Sequence, residues 1–187
     1  MRLKFKIILG ISYLLILLTF LYFFLSAFEL SRLNDFSYYK ELQILLDDYI
    51  GNNIYENLVI FFIFAILWVM MLGFGSPILF VSGILFGAWL GTFISVISIS
   101  VGTLLLYITA NFFFYELVNN LLKDRIKKYI DLFRKNEFYY FLAFRLSGGM
   151  ALPFPLQNIL PILFNMKKVN YFSASLLGFI PHFFIWN

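Results

Sequence analysis

Polar and apolar residues in this chain fall into long blocks rather than the short periods of a water-soluble fold. A basic start (Arg2, Lys4, Lys6) leads into 22 uncharged, mostly apolar residues, Ile7–Phe28. A spanning helix needs roughly 20 such residues, whereas a signal-peptide core runs to roughly 7–15. With no clear small-x-small cleavage site behind it, this block predicts a retained transmembrane helix whose basic end is cytoplasmic. Glu29–Glu56 is polar and acidic. Within it Asn34 or Asp35 can cap a short helix whose apolar face is Tyr39, Leu42, Leu46 and Tyr49, an amphipathic segment at an interface. Residues 1–56 are thus read as an N-terminal helix plus an interfacial acidic segment, and residues 57–187 as a membrane domain.

Within that domain, Asn57–Leu72 is apolar and just long enough to cross. Gly73-Phe-Gly-Ser-Pro77 then breaks the pattern, and the 13 residues Ile78–Leu90 suit a re-entrant or interfacial element better than a span. Gly91–Phe114 is a longer apolar run with Gly91, Ser95, Ser98 and Gly102 at helical intervals, a stripe of the kind that lets membrane helices approach closely. Gly87, Gly91 and Gly102 are therefore expected where backbones meet. Over Tyr115–Glu137, Val118, Leu121, Leu122, Ile126, Tyr129, Ile130 and Phe133 share one helical face and charged residues the other. That pattern fits a helix lying along a lipid surface, or equally a solvated connecting helix. Phe138–Met166 is apolar but broken by Gly148, Gly149, Pro153, Pro155 and Pro161; after Lys167 and Lys168 a run of 19 residues follows, containing Gly178 and Pro181.

Composition turns this block pattern into a class. The chain is 62% apolar, 22% aromatic and only 13% charged, with a mean hydropathy of +0.88. A soluble domain carries roughly a quarter of its residues as charges, so about half that supply cannot coat a wet surface. Disordered, collagen-like and disulfide-framed proteins are excluded, and so is an ordinary nucleic-acid binder. The net charge of +4 comes from short loops and suits anionic lipid head groups. With no cysteine and one histidine, His182, thiolate chemistry and a histidine-rich metal site within one chain are ruled out. No cofactor or metal is expected.

The two halves share a motif: a proline-marked, broken, short apolar segment followed by a glycine-containing spanning segment. Broken backbone at membrane depth leaves peptide groups that lipid cannot satisfy, so it survives only against protein or a water-filled cavity. Paired interruptions of this kind point to a transporter-type site at a repeat interface. Orientation stays open. With a cytoplasmic N-terminus, Tyr115–Glu137 and Lys167-Lys168 place eight Lys/Arg outside against three at the N-terminus, which opposes the usual positive-inside bias.

From Ser76 onward the residues resemble the DedA/VTT-domain superfamily, specifically its SNARE-associated Golgi protein branch. A proline before a Gly-x-x-Phe-Gly-x-x-x-Gly run is matched by Pro77, Gly83, Phe86, Gly87 and Gly91, with Gly102 eleven residues on and then Ala110. The second half matches an aromatic-x-x-x-Arg element with Phe141 and Arg145. Pro153, Phe154 and Asn158 match a proline turn leading to an asparagine, and Tyr171, Gly178 and Pro181 match a downstream aromatic, glycine and proline. The chain departs from the family's pattern at Ser98 and Ile162, where glycine is usual, and at Asn111, where arginine is frequent. Gly148-Gly149 lengthens the Arg-to-Asn interval by about two residues, and the family usually continues one helix beyond the position of Asn187, so a C-terminally shortened version is expected.

The resemblance implies an all-α, polytopic membrane protein of two inverted repeats, each a re-entrant half-helix plus spanning helices, with the re-entrant tips near the midplane. Pro77, Gly83, Gly87, Gly91, Gly102, Pro153, Pro155, Gly178 and Pro181 would shape that scaffold. It also implies a mover of lipids between leaflets, phospholipid or polyprenyl phosphate, multi-pass in the cell (inner) membrane. A non-transporting membrane homeostasis or assembly factor is the alternative. Partners would be membrane lipids and no nucleic acid, with a homo-oligomer left open; no enzymatic activity is expected.

Arg145, Asn158 and Phe141 are the candidate substrate-binding residues. Arg145 is the sole charge between Glu137 and Lys167. A charge at the centre of a helix costs roughly 2.5–3.5 kcal/mol on insertion scales, so it normally faces protein or water. Its fork suits a phosphate; capping the broken helix near Ser147–Gly149 or snorkelling to the interface are the alternatives. Asn158 could donate to the same phosphate or to loose backbone. His182 could relay protons, or simply hydrogen-bond to a neighbouring helix. The serines have no evident histidine–carboxylate partners for hydrolysis. No acid lies between Glu56 and Glu116, so passive transfer is favoured over proton coupling.

Overall fold

The computed structural model describes residues 11, 12, 15, 18, 19, 22, 53–72 and 74–186. Contacts divide the chain into Met1–Ile54 and Tyr55–Asn187. In the first unit residues 11, 12, 15, 18, 19 and 22 are helical, and the Thr19 hydroxyl donates to the Leu15 carbonyl over 2.8 Å. The remainder of the first predicted span and residues 29–52 of the acidic interfacial segment lie outside the described residues, while Ile54–Glu56, predicted as the end of that segment, already belong to the next helix.

The second unit is built from α1 (Ile54–Leu72), α2 (Ser76–Lys135), α3 (Glu137–Leu146), α4 (Phe154–Ile159) and α5 (Lys168–Trp186). Short 3-10 turns occupy Gly148–Ala151 and Leu160–Phe164, and no strand occurs among the described residues. Ile54–Met71 and Ser76–Glu116 are long and apolar enough to cross a membrane.

The length of α2 conceals one reversal and a departure from straightness. At Gly87 the backbone leaves helical geometry (φ 70°, ψ 177°). Beyond it the Ser95 hydroxyl donates to the Ser82 hydroxyl over 2.6 Å. Thirteen residues of straight helix would hold those atoms about 20 Å apart, so residues 76–86 fold back on the arm that begins at 88. Lower down, Tyr107 donates to the carbonyl of Met166 (2.8 Å) while the Phe133 ring stacks on Phe164 at 4.2 Å. A straight helix would separate Tyr107 from Phe133 by about 39 Å. The helix is therefore not straight between Tyr107 and Phe133.

Glycine permits these folds in two different ways. Gly91 lies against the Ser82–Gly83 peptide, where an added Cβ would stand 2.6 Å from the Ser82 carbonyl oxygen; at Gly102 one would stand 2.8 Å from the Cβ of Val69 in α1. Both are close backbone approaches, as the small-residue stripe predicts. Gly87 is not. A Cβ there would meet nothing within 4 Å, and its requirement is the positive φ alone. The break anticipated between Leu90 and Gly91 thus falls at Gly87, because the turn needs a left-handed residue.

In the second half, α3 rises to a turn in which Gly148, Gly149 and Met150 all have positive φ (70°, 70° and 52°). Pro153 and Pro155 then start α4 in the return direction, proline at a helix start losing no needed hydrogen bond. Asn165, in left-handed geometry (φ 49°), ends the second 3-10 turn and hands the chain to α5. The Glu137 carboxylate, 6% exposed, accepts from the Asn170 amide (2.6 Å) and the Lys167 backbone N–H (3.3 Å), which fastens the foot of α3 to the start of α5. α5 runs antiparallel to the long arm of α2, since Tyr107 stacks on Tyr171 at 4.6 Å and Trp89 meets Phe184 at 5.1 Å.

Two substitutions test the fold-back at Gly87. Because the chain has no native cysteine, the double variant Ser82→Cys/Ser95→Cys should close a disulfide under mild oxidation, read as lost alkylation by mass spectrometry. Free thiols at both positions would show a continuous helix instead. Gly91→Ala should lower the folded fraction in detergent by roughly 1–3 kcal/mol of overpacking, whereas Phe93→Ala, on an exposed face, should leave it nearly unchanged on size-exclusion chromatography.

Candidate functional site

Arg145 ends α3 just below the Gly148–Ala151 turn and is 4% exposed. That burial rules out snorkelling. Its stem passes directly over Gly178 of α5, whose missing Cβ leaves the room that Arg145's own Cβ fills. The guanidinium donates from one terminal nitrogen to the Asn158 side-chain oxygen (2.7 Å) and to the Tyr171 hydroxyl (3.1 Å), and from the other, weakly, to the Gln157 side-chain oxygen (3.5 Å). Tyr171 passes the bond on, donating to the Asn158 carbonyl at 3.3 Å. Four rings surround the cation: Phe141 and Phe179 each at 4.7 Å, Tyr171 at 5.7 Å and Phe154 at 5.9 Å from centroid to guanidinium carbon.

Every acceptor on this arginine is neutral. A desolvated cation–π contact is worth about 0.5–2 kcal/mol, and a hydrogen bond to a charged group about 1.5–3 kcal/mol. A few such contacts match the roughly 2.5–3.5 kcal/mol insertion penalty, so the charge is tolerable without a carboxylate. The donor side is incomplete. Two buried groups of the cluster, Arg145 Nε and the Asn158 side-chain nitrogen, have no hydrogen-bond partner. An unmade bond at a buried donor costs about 1–3 kcal/mol, and both groups call for an acceptor, preferably an anionic one.

Asn158, fully buried on α4, thus stands beside Arg145, and Phe141 lies one helical turn below it, stacked on Tyr171 at 5.0 Å. Gln157, Tyr171 and Phe179 complete the cluster. Gln157 was signalled only by being polar in an apolar stretch. Its amide nitrogen donates to the carbonyls of Leu152 (2.7 Å) and Gly148 (3.3 Å), pinning the turn, and its side chain occupies the space that a Cβ on Gly149 would need. Of the remaining expected residues, Pro77 and Pro153 open the returning arms and Pro181 sits on an exposed face of α5. His182 is also exposed there, edge-on to Phe183, and is not among the Arg145 contacts.

Five pairs of positions 76 residues apart stand in comparable settings in the two halves: Val69 and Arg145, Pro77 and Pro153, Ser82 and Asn158, Ser95 and Tyr171, Gly102 and Gly178. The contacts correspond too. Gly102 receives Val69 as Gly178 receives Arg145, and Ser95 donates to the Ser82 hydroxyl where Tyr171 donates to the Asn158 backbone carbonyl. The Phe154 ring also lies against Gly75, its edge 3.3 Å from where a Cβ there would stand. A family model, the VTT domain, matches residues 72–187. The chain belongs to the VTT domain family. That membership supports a membrane protein and accords with the two helices of spanning length among the described residues. No solved structure matches it.

Asn158→Asp offers a direct check on the electrostatics of the cluster. It substitutes a carboxylate for a neutral acceptor at 2.7 Å, and charge-assisted bonds are roughly twice as strong. The variant should melt at a higher temperature than the wild type in detergent, and Asn158→Leu at a lower one. A fall for both would mean that Arg145 already has its countercharge.

Proposed function

We propose that this VTT protein moves phosphate-bearing lipids, phospholipid or polyprenyl phosphate, between leaflets without a coupled ion, as a multi-pass protein of the cell (inner) membrane and without enzymatic activity. In this reading residues 76–86 and α4 are the re-entrant arms of inverted repeats, and their tips approach each other near the midplane. The 76-residue correspondence, the antiparallel long arm and α5, and the approach of Phe154 to Gly75 support that arrangement. The observation that carries the function is the buried Arg145–Asn158 pair: one cation with neutral acceptors and two donors without partners. A passing phosphate would supply the missing acceptors and the countercharge. Arg145 binds it, Asn158 donates the second bond, and Phe141 keeps the guanidinium placed between visits.

One observation favours a second reading, that of a non-transporting homeostasis or assembly factor. Arg145 is packed on all sides, and its terminal nitrogens already hold the turn to α4 and α5. There the guanidinium would serve as a brace and nothing more.

Equilibration of fluorescent phospholipid between leaflets of liposomes, normalised to folded protein, separates the two. Transfer should fall at least about tenfold in Arg145→Ala and recover partly in Arg145→Lys, which keeps the charge and loses the fork. Asn158→Asp should be folded and slow, because a built-in countercharge competes with the phosphate. A wild-type rate per folded molecule in Arg145→Ala and Asn158→Asp would leave Arg145 as a brace.

A further inference from the structure

The charge and donor count of the cluster define which phosphate it can take. Among the described residues Arg145 is the one buried cation: Arg134, Lys135, Lys167 and Lys168 are exposed, and the repeat counterpart of Arg145 is Val69. Two buried donors are open, Arg145 Nε and the Asn158 amide nitrogen. The other groups facing the guanidinium are side-chain oxygens of Asn158 and Gln157, the Tyr171 hydroxyl and four ring faces. Ring faces and carbonyl oxygens present negative potential, so they repel any negative charge beyond the first.

We propose that the Arg145 cluster selects a phosphodiester, the singly charged phosphate of a glycerophospholipid whose head group is esterified, and discriminates against a phosphomonoester such as phosphatidic acid or a polyprenyl phosphate. This rests on the lipid-transfer reading above and names its substrate class. A diester has two non-bridging oxygens sharing one negative charge, which matches two open donors and one cation. A monoester at neutral pH carries three such oxygens and a charge between −1.5 and −2, its second pKa being about 6. Its surplus charge would be buried without a partner among aromatic faces. Protonation removes the surplus, so the monoester becomes acceptable as pH falls through its own second pKa. The titratable groups around the cation are Tyr171 in contact, Tyr107 stacked behind it, and Glu137 at the foot of the hairpin, with His182 exposed farther along α5. A diester measured at both pH values controls for all of them.

The test uses the full chain in phosphatidylcholine liposomes with trace fluorescent phosphatidylglycerol or phosphatidic acid, at about pH 7.5 and about pH 5. Phosphatidylglycerol should exchange at both. Phosphatidic acid should exchange at least about tenfold more slowly at the higher pH, a modest share of what an unpaired intramembrane charge costs, and approach the diester at the lower. Gln157→Lys adds a second cation while retaining donors for the Gly148 and Leu152 carbonyls, and should admit phosphatidic acid at the higher pH. Excess glycerophosphoglycerol, the same diester without acyl chains, should not compete; competition would overturn the assignment to a lipid. Equal exchange of both lipids by the wild type at the higher pH would overturn the selectivity while leaving lipid transfer intact. Exchange of neither lipid would remove the transfer reading and this inference with it.

Discussion

The second half of the domain is organised by the need to bury one guanidinium in an apolar interior. Its stem requires a groove, which Gly178 provides by lacking a Cβ. Its terminal nitrogens require oxygens, and the turn at Gly148–Ala151 sends the chain back so that Gln157 and Asn158 reach them. Its face requires polarizable walls, and Phe141, Phe154, Tyr171 and Phe179 come from three different helices. Moving any one of those helices breaks contacts on the others, which couples α3, α4 and α5 through a single side chain.

Local backbone chemistry and this central contact reinforce each other. The three successive positive φ values at Gly148, Gly149 and Met150 include a non-glycine residue, Met150, whose side chain is 72% exposed. Left-handed geometry at such a residue costs about 1–2 kcal/mol. Gln157 holds it in place by bonding two carbonyls of the same turn. At the other end of the hairpin, Glu137 performs the corresponding tie to α5 with a carboxylate. A hairpin fixed at both turn and foot is rigid enough to hold two donors unpaired.

Much of this was legible in the sequence where a residue type is rare for its surroundings. Arg145 and Asn158 stood out as polar groups among apolar ones, the prolines marked the returning arms, and the resemblance located Phe141, Gly178 and Tyr171. Element boundaries were less legible. The break at Gly87 and the small-residue contact at Gly91 are four residues apart, and composition does not distinguish a glycine chosen for its φ from one chosen for its size. The departure from straightness between Tyr107 and Phe133 left no proline or glycine to announce it. The tie between Glu137 and Asn170 was hidden for another reason: at a segment boundary a carboxylate reads as solvated until the neighbouring helix is placed over it.

The pairing of Gly102 with Val69 carries a consequence for direction. Both halves possess the same groove, yet only one holds a charge. On the proposed lipid-transfer reading, the two approaches to Arg145 from the two membrane faces would therefore differ in barrier height. In a passive device detailed balance forbids that inequality from driving net flow. It decides instead where along the crossing a captured molecule waits, and hence which face releases it first after an encounter.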